Sequence, residues 1–261
     1  MSVIKLQFHS KKAIITLNKP EKLNALNVEE FFLLASYLRE VAQRQDVHIT
    51  ILTATGRYFS SGIDLTPTQA QKAEGRLPEP LPRHAASNSL VHIPDVTEAF
   101  YSHPKLLIVA LNGPVVGLTA ALVAHADLIY SMPHTYLLTP FTKLGITPEG
   151  GATTTFIQRL GFAKANEALL LSKRIPCKDL ARVGFVNEIF DTGSDTEKFL
   201  ARVVEEVDSN FKGVQIASVL ESKALIRGQF MDTISAQTFK EAQGVAASIA
   251  RAIETRSSPK L

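Results

Sequence analysis

The chain has 261 residues, 45% of them hydrophobic and 20% charged, with a formal net charge of +3. That is enough apolar material for one large domain, or a domain with an appendage, and no run of like charges marks a nucleic-acid-binding tail. The single cysteine, Cys177, excludes an intramolecular disulfide and a cysteine metal cluster, and favours a reducing compartment.

From the N-terminus, Met1 to Lys5 carries no apolar signal core. Ala13 to Leu17 reads as a short strand closed by Asn18-Lys19-Pro20. Asn27 followed three residues later by Glu30 has the spacing of a capping box. From Val28 to Arg44, Phe31, Leu34, Ala35, Leu38, Val41 and Ala42 recur at helical spacing, and Val47 to Thr53 reads as the next strand, so this part is a βαβ unit. Ala54 to Asp64 leaves that strand as a turn-rich loop. Thr66 to His92, with Pro67, Pro78, Pro80 and Pro82 among polar residues, is expected to be a mobile excursion or lid, with a helix only from Asp95 to Ser102.

The most informative stretch runs from Lys105 to Glu149. A strand, Leu106 to Leu111, breaks at Asn112-Gly113-Pro114. A helix of small residues follows between Val115 and Ala124, then a second strand, Asp127 to Met132. Asn112-Gly113-Pro114 splits this apolar region into pieces too short to span a bilayer, so no membrane span is expected. Beyond Glu149, Ala152 to Leu160, Ala163 to Leu171 and Pro176 to Val183 read as helices, with Cys177 a helix-start filler and Phe185 to Phe190 a short strand. From Thr196 the pattern is helical, broken near Asn210 and Gly228. The order implies an α/β core (1–195) followed by a helical region (196–261).

No metal site is expected: the seven histidines never pair with a carboxylate at ligand spacing, and the glycine-rich turns lack a phosphate-loop lysine. Ser60-Ser61-Gly62 is not a nucleophile elbow, Arg57 reads as a solvated loop residue, and His125 as a core or interface histidine. Two glycine turns stand out instead. Gly62 precedes Ile63 beyond one strand, and Gly117 precedes Leu118 at a helix start. Glycine allows the dihedrals that leave the next N–H unpaired, and at a helix start that N–H carries the positive end of the dipole. Two such groups can hold one carbonyl oxygen as it becomes an oxyanion. Glu149 sits in the Pro148-Glu149-Gly150-Gly151 turn that follows.

Phe59 to Leu65 and Asn112 to Leu118 resemble the two oxyanion-hole motifs of the crotonase (enoyl-CoA hydratase/isomerase) superfamily. Asn18-Lys19-Pro20 with Leu23-Asn24-Ala25-Leu26, and Ala181 to Val186, resemble its other signatures, so that the likeness covers about 10–250. The resemblance implies an α/β spiral of ββα turns with a C-terminal helical region that supports homotrimers, often paired into hexamers. It implies acyl-CoA thioester substrates, with coenzyme A part of the substrate and no separate cofactor. It places the oxyanion donors at the Ile63 and Leu118 N–H groups, and substrate contacts at Lys22, Leu23, Ala25, Ser61, Ile63, Leu118 and Phe141.

Hydratases of the superfamily keep two glutamates where this chain has Ala121 and Phe141. Glu149 instead falls where peroxisomal-type 3,2-enoyl-CoA isomerases keep their single acid, which implies a double-bond shift from 3-enoyl-CoA to trans-2-enoyl-CoA in β-oxidation, with Phe141 and Phe156 a candidate apolar wall. Asp64 is expected to fix its loop by hydrogen bonding. The alternatives are a catalytically silent acyl-CoA-binding or scaffold member, or another crotonase reaction such as hydration. The final Pro259-Lys260-Leu261 resembles a Ser-Lys-Leu address, implying a peroxisomal import receptor as partner and the peroxisome as location.

Overall fold

The computed structural model describes residues 2–64 and 81–257. β1 (Ile4–His9) and β2 (Lys12–Leu17) form an antiparallel hairpin, and α1 (Val28–Gln43) leads to β3 (Ile49–Ala54). Next come α2 (Leu81–Tyr101), β4 (Leu106–Leu111), β5 (Val115–Val116), α3 (Gly117–Val123), β6 (Leu128–Ser131) and β7 (Tyr136–Leu138). After these lie α4 (Ala152–Leu160), α5 (Phe162–Leu169), β8 (Ile175–Pro176), α6 (Cys177–Arg182) and β9 (Glu188–Ile189). Three helices close the chain: α7 (Thr196–Asn210), α8 (Ile216–Gly228) and α9 (Met231–Ser257).

The six-stranded sheet runs β1-β2-β3-β4-β6-β9, parallel from β2 onward. Strand order follows chain order, so each crossover advances by one strand and the chain winds as a spiral instead of reversing about a central strand. A second sheet, β5-β7-β8, is built by the short strands after the crossovers.

Both faces of the large sheet are covered, which is why its strands read as continuous apolar runs. In β4, Leu107, Val109 and Leu111 enter the main core, where α1, α2 and α3 pack. Leu106, Ile108 and Ala110 point the other way, onto Phe199, Val203 and Val207 of α7. The capping box at Asn27 forms as its spacing predicts: Asn27 Oδ1 accepts the Glu30 N–H at 2.8 Å, and Glu30 Oε2 accepts the Asn27 N–H at 2.8 Å.

The structure corrects the expected lid. Residues 65–80 lie outside the described residues, but 81–92 are not an excursion: they belong to α2, which begins at Leu81 and not at Asp95. Two prolines hid this helix. Pro82 falls in the first turn, where a missing N–H costs nothing; Pro94 lies inside, where it removes one helical bond. Ile93, Val96 and Phe100 still form a buried stripe. The N-terminal strand β1 and the small-sheet strands β5, β7 and β8 were not foreseen, and β9 is shorter than the apolar run Phe185 to Phe190 predicts. The last four residues also lie outside the described residues, as does Leu65. Among the described residues no helix is long and apolar enough to cross a membrane, and no group of three or more His, Cys, Asp or Glu residues is placed to hold a metal. Cys177 is buried at the start of α6, its thiol pKa raised by burial.

Asp127, between α3 and β6, ties α8 to the sheet. Its carboxylate accepts the Leu107 N–H at 2.7 Å, Lys223 Nζ at 2.7 Å and Arg227 Nη2 at 2.8 Å. Burial raises its pKa, but the two cations outweigh burial and lower it. Asp127→Ala leaves two largely buried cations unpaired and is expected to cost about 3–5 kcal/mol in denaturant unfolding. A loss no larger than a surface ion pair's, about 1 kcal/mol, would show the cluster to be dispensable.

Candidate active site

Leu23 and Asn24 both take left-handed dihedrals, φ +53° and +54°, strained for side-chain-bearing residues. The buried Asn24 side chain holds the bend: Oδ1 accepts the Lys19 N–H at 2.7 Å, and Nδ2 donates to Thr55 O at 2.8 Å and Tyr58 O at 2.9 Å. The bend in turn anchors the first glycine turn, because Leu23 O accepts the Ser61 N–H at 2.9 Å and Asn24 O accepts from Ser60 Oγ at 2.8 Å. Asp64 lies 3.5 Å from both Lys19 Nζ and Lys22 Nζ, and Lys19 also pairs with Glu30 at 2.9 Å. Burial lowers the Lys19 pKa, but Glu30 and Asp64 together raise it, so the ammonium stays charged. Asp64 thus fixes its loop, as expected for it.

Leu26 brackets Ile63 in a parallel bridge: the Leu26 N–H donates to Gly62 O at 2.9 Å, and the Asp64 N–H donates to Leu26 O at 2.8 Å. In that pattern the N–H of Ile63 itself points away from the ladder. Gly62, at φ +93°, lies against the second turn, where an added Cβ would stand 3.0 Å from Val116 O and 3.6 Å from Gly117 Cα. Gly117, at φ +64°, opens α3, so the Leu118 N–H belongs to the first helical turn and has no intrahelical acceptor. The two turns are locked by a side-chain hub. Ser60 Oγ accepts the Gly62 N–H at 3.1 Å and Thr119 Oγ1 at 2.9 Å.

Glu149 comes to the same helix from below. Gly150, at φ +71°, packs so closely on α3 that an added Cβ would fall 2.9 Å from both Leu118 Cδ1 and Ala121 Cβ. Gly150 O, which can only accept, bonds His125 Nε2 at 2.9 Å, so that nitrogen carries the ring proton. Burial pushes the His125 pKa down to about 4, against the Gly150 bond, and the ring is neutral. Glu149 is only 2% exposed. Burial, and then the charge of Glu241, push its pKa up to about 8.

The structure therefore brings Ile63, Leu118 and Glu149 to one place, with Lys22, Leu23, Ala25 and Ser61 clustered around the first turn. Phe141 is 2% exposed and belongs to the same buried cluster as Leu118, and Phe156 packs edge-to-face on Phe185 with ring centres 6.1 Å apart. Ala121 is likewise buried. Arg57 is exposed, as predicted. Ser60, Thr119 and Asn24 were not singled out individually although they lie in or beside the quoted motifs. Glu241 carried no local signal at all.

The arrangement sets a buried carboxyl able to gain or lose a proton near neutral pH on a turn packed against the start of α3, while Ile63 on the first glycine turn is 39% exposed. The hub is testable. Ser60→Ala removes the acceptor of two buried donors and is expected to lower stability by about 1–3 kcal/mol, read from the denaturant midpoint. An unchanged midpoint would show that the two turns are held by other contacts.

The sequence pattern of the enoyl-CoA hydratase/isomerase family matches residues 8–248. A Delta(3,5)-Delta(2,4)-dienoyl-CoA isomerase of Pyricularia oryzae is 41% identical, over 92% of this chain and 89% of its own length. A 3,2-trans-enoyl-CoA isomerase of Saccharomyces cerevisiae is 36% identical, over 85% of this chain and 80% of its own. Among solved structures, an enoyl-CoA hydratase from Bacillus halodurans superposes with a TM-score of 0.82 at 21% identity, covering 95% of each chain, which shows a shared fold. The spiral, the paired glycine turns and the match across nearly the whole chain lead to one conclusion: the chain belongs to the enoyl-CoA hydratase/isomerase family.

Proposed function

We propose that the protein is an enoyl-CoA isomerase of β-oxidation that converts 3-enoyl-CoA to trans-2-enoyl-CoA. The observation that carries this reading is the environment of Glu149: a buried carboxyl, its pKa raised to about 8, on a turn packed against Leu118, while both hydratase acid positions are the apolar Ala121 and Phe141. The isomerase names of the relatives from Pyricularia oryzae and Saccharomyces cerevisiae support the class.

In this mechanism the Ile63 and Leu118 N–H groups hold the thioester oxygen. Ionised Glu149 removes a proton from C2; the C2–H electron pair makes the C1=C2 bond of the enolate, and negative charge gathers on the held oxygen. The oxygen then returns its charge through C1 and C2, C2=C3 forms as C3=C4 opens, and C4 takes the proton back from Glu149. One proton leaves C2 and one arrives at C4, so neither water nor a cofactor is consumed and the thioester to coenzyme A stays intact. A single carboxylate suffices. Hydration needs water activated on one carbon and a proton delivered to its neighbour, which two acids accomplish and one does so poorly.

The second reading is a dienoyl-CoA isomerase, favoured by the 41% identity to the Pyricularia oryzae protein of that name. It shares the C2 deprotonation and differs in returning the proton to C6. Turnover of 3-hexenoyl-CoA against a 3,5-dienoyl-CoA separates the two. No turnover of either, with CoA-ester binding intact, supports a silent acyl-CoA-binding member. The exposed Leu225 and Ile226 of α8, a helix with no buried residue, support the homotrimer or hexamer proposed for the family member. Pro259-Lys260-Leu261, read as a peroxisomal receptor's address, supports the peroxisome.

Two outcomes check the mechanism. Glu149→Gln is expected to lower kcat by about 10²–10⁴-fold while CoA-ester affinity stays within a few-fold; more than a tenth of the turnover retained would remove Glu149 from the chemistry. In the wild type, Glu149 must be ionised to act as base, so kcat/KM is expected to rise with pH and level off above about 8. A profile flat from pH 6 to 9 would contradict a base so placed.

A further inference from the structure

Glu241 lies in α9, ninety-two residues beyond Glu149, yet its carboxylate is spent entirely on the residues that follow Glu149. Oε2 accepts the Gly151 N–H at 2.7 Å; Oε1 accepts the Thr153 N–H at 2.8 Å and Thr153 Oγ1 at 2.5 Å. These are orphan donors at the start of α4, whose own N-cap residue, Gly151, has no side chain with which to cap it. The neighbouring turn of α9 repeats the contact. An added Cβ at Gly244 would stand 2.6 Å from Thr147 Oγ1, and one at Gly151 would stand 3.5 Å from Thr238 Oγ1. Thr238, Glu241 and Gly244 follow one another at three-residue spacing, so one stripe of α9 lies along residues 147–153.

From this geometry we infer that Glu241 is a positioning residue for Glu149: it fixes the turn that holds Glu149 against α3 and sets a negative charge beside it. The inference rests on the reading of Glu149 as the base.

The two carboxyls divide their roles by environment. Burial raises the pKa of both carboxyls, but Glu241 accepts three hydrogen bonds at a helix N-terminus that pull its own back down, whereas Glu149 gains nothing comparable and feels the Glu241 charge as well. Glu241 therefore ionises first, and Glu149 holds its proton to higher pH. The other titratable groups packed around the turn are accounted for. His125 on the α3 side is neutral, and Tyr101 of α2 lies 6.1 Å from its ring. Arg159 of α4 donates to Ala124 O and Phe185 O, and Arg227 of α8 pairs with Asp127. Among the charged groups, the shift at Glu149 traces to Glu241 alone. A base poised near 8 is stronger than an ordinary glutamate when ionised, which suits removal of a weakly acidic proton next to a thioester.

The test uses the full-length protein, with 3-hexenoyl-CoA or whichever thioester it turns over, and compares Glu241→Gln, Glu241→Asp and Glu149→Gln. Glu241→Gln keeps the shape but removes the charge and one acceptor. Its kcat is expected to fall about 10–100-fold through misplacement of the base, with KM within a few-fold. The acid limb of its kcat/KM profile is expected to move about half a unit or more toward lower pH, because the charge that opposes ionisation is gone. Glu241→Asp keeps the charge, so its limb is expected to stay with the wild type while kcat recovers in part. An unchanged limb in Glu241→Gln, or an equal loss of kcat in both Glu241 variants without a limb shift, overturns the inference and makes Glu241 a plain helix cap. Should Glu241→Gln fail to fold, Thr153→Val removes one donor from the same link; kcat lowered several-fold at constant KM is then expected, and an unchanged kcat overturns the inference. Activity surviving in Glu149→Gln would instead sink the reading of the base itself.

Discussion

Gly150 and Gly151 run at φ +71° and +75° with a helix pressed against each side, and this sandwiched turn is what the candidate site depends on. Neither position admits a Cβ without displacing Leu118 and Ala121 of α3 or the His125 ring just beyond it, and Thr238 of α9 stands on the other side, 3.5 Å from a Cβ at Gly151. Closeness of that order turns a flexible two-glycine link into a rigid one. Its ends are then tied by backbone bonds, Gly150 O to His125 and the Gly151 N–H to Glu241. Small residues are needed in α3 for the same reason. Ala121 lets the turn approach the helix that carries the Leu118 N–H, so the packing that builds the core also sets how close Glu149 comes to it.

Keeping a carboxyl buried here has an energetic consequence whose sign can be worked out. Glu149 has a folded-state pKa of about 8 against 4.5 for the exposed group. Its contribution to stability is fully present below pH 4.5 and is lost as pH rises through 8, a loss on the order of 5 kcal/mol at alkaline pH. His125 and His103, with pKa values lowered to about 4 and about 3 by burial, act in the opposite sense: unfolded histidine binds a proton below 6.5 while the folded ring does not, so stability falls as the solution is acidified. Across these three groups stability is greatest near pH 6.5. An ordinary buried leucine at position 149 would carry no such cost, which marks the glutamate as a residue retained at the expense of stability.

Much of this was legible in the residues, and for physical reasons. The Asn27–Glu30 box is local, so its spacing sufficed. Leu106 to Leu111 is apolar on both faces because both faces are covered. Gly62 and Gly117 announced positive φ, and the structure has it at both. What escaped was whatever depends on distant parts of the chain. The helix at Leu81 was masked by prolines that its end and its packing tolerate. The strands of the small sheet are two or three residues long and owe their existence to each other, not to their own composition. Glu241 lies on a helix face that only the completed fold brings to residue 151, and nothing near it in sequence distinguishes it from Glu221 or Glu254.

The central claim is that one carboxyl moves the proton from C2 to C4. It is tested most directly by single-turnover reaction of 3-enoyl-CoA deuterated at C2 in ordinary water, with the product examined for deuterium at C4. A single buried Glu149, shielded from exchange, predicts that a measurable share of the label reappears at C4. Product whose C4 hydrogen comes wholly from solvent, at every quench time, would contradict the account and require a second acid.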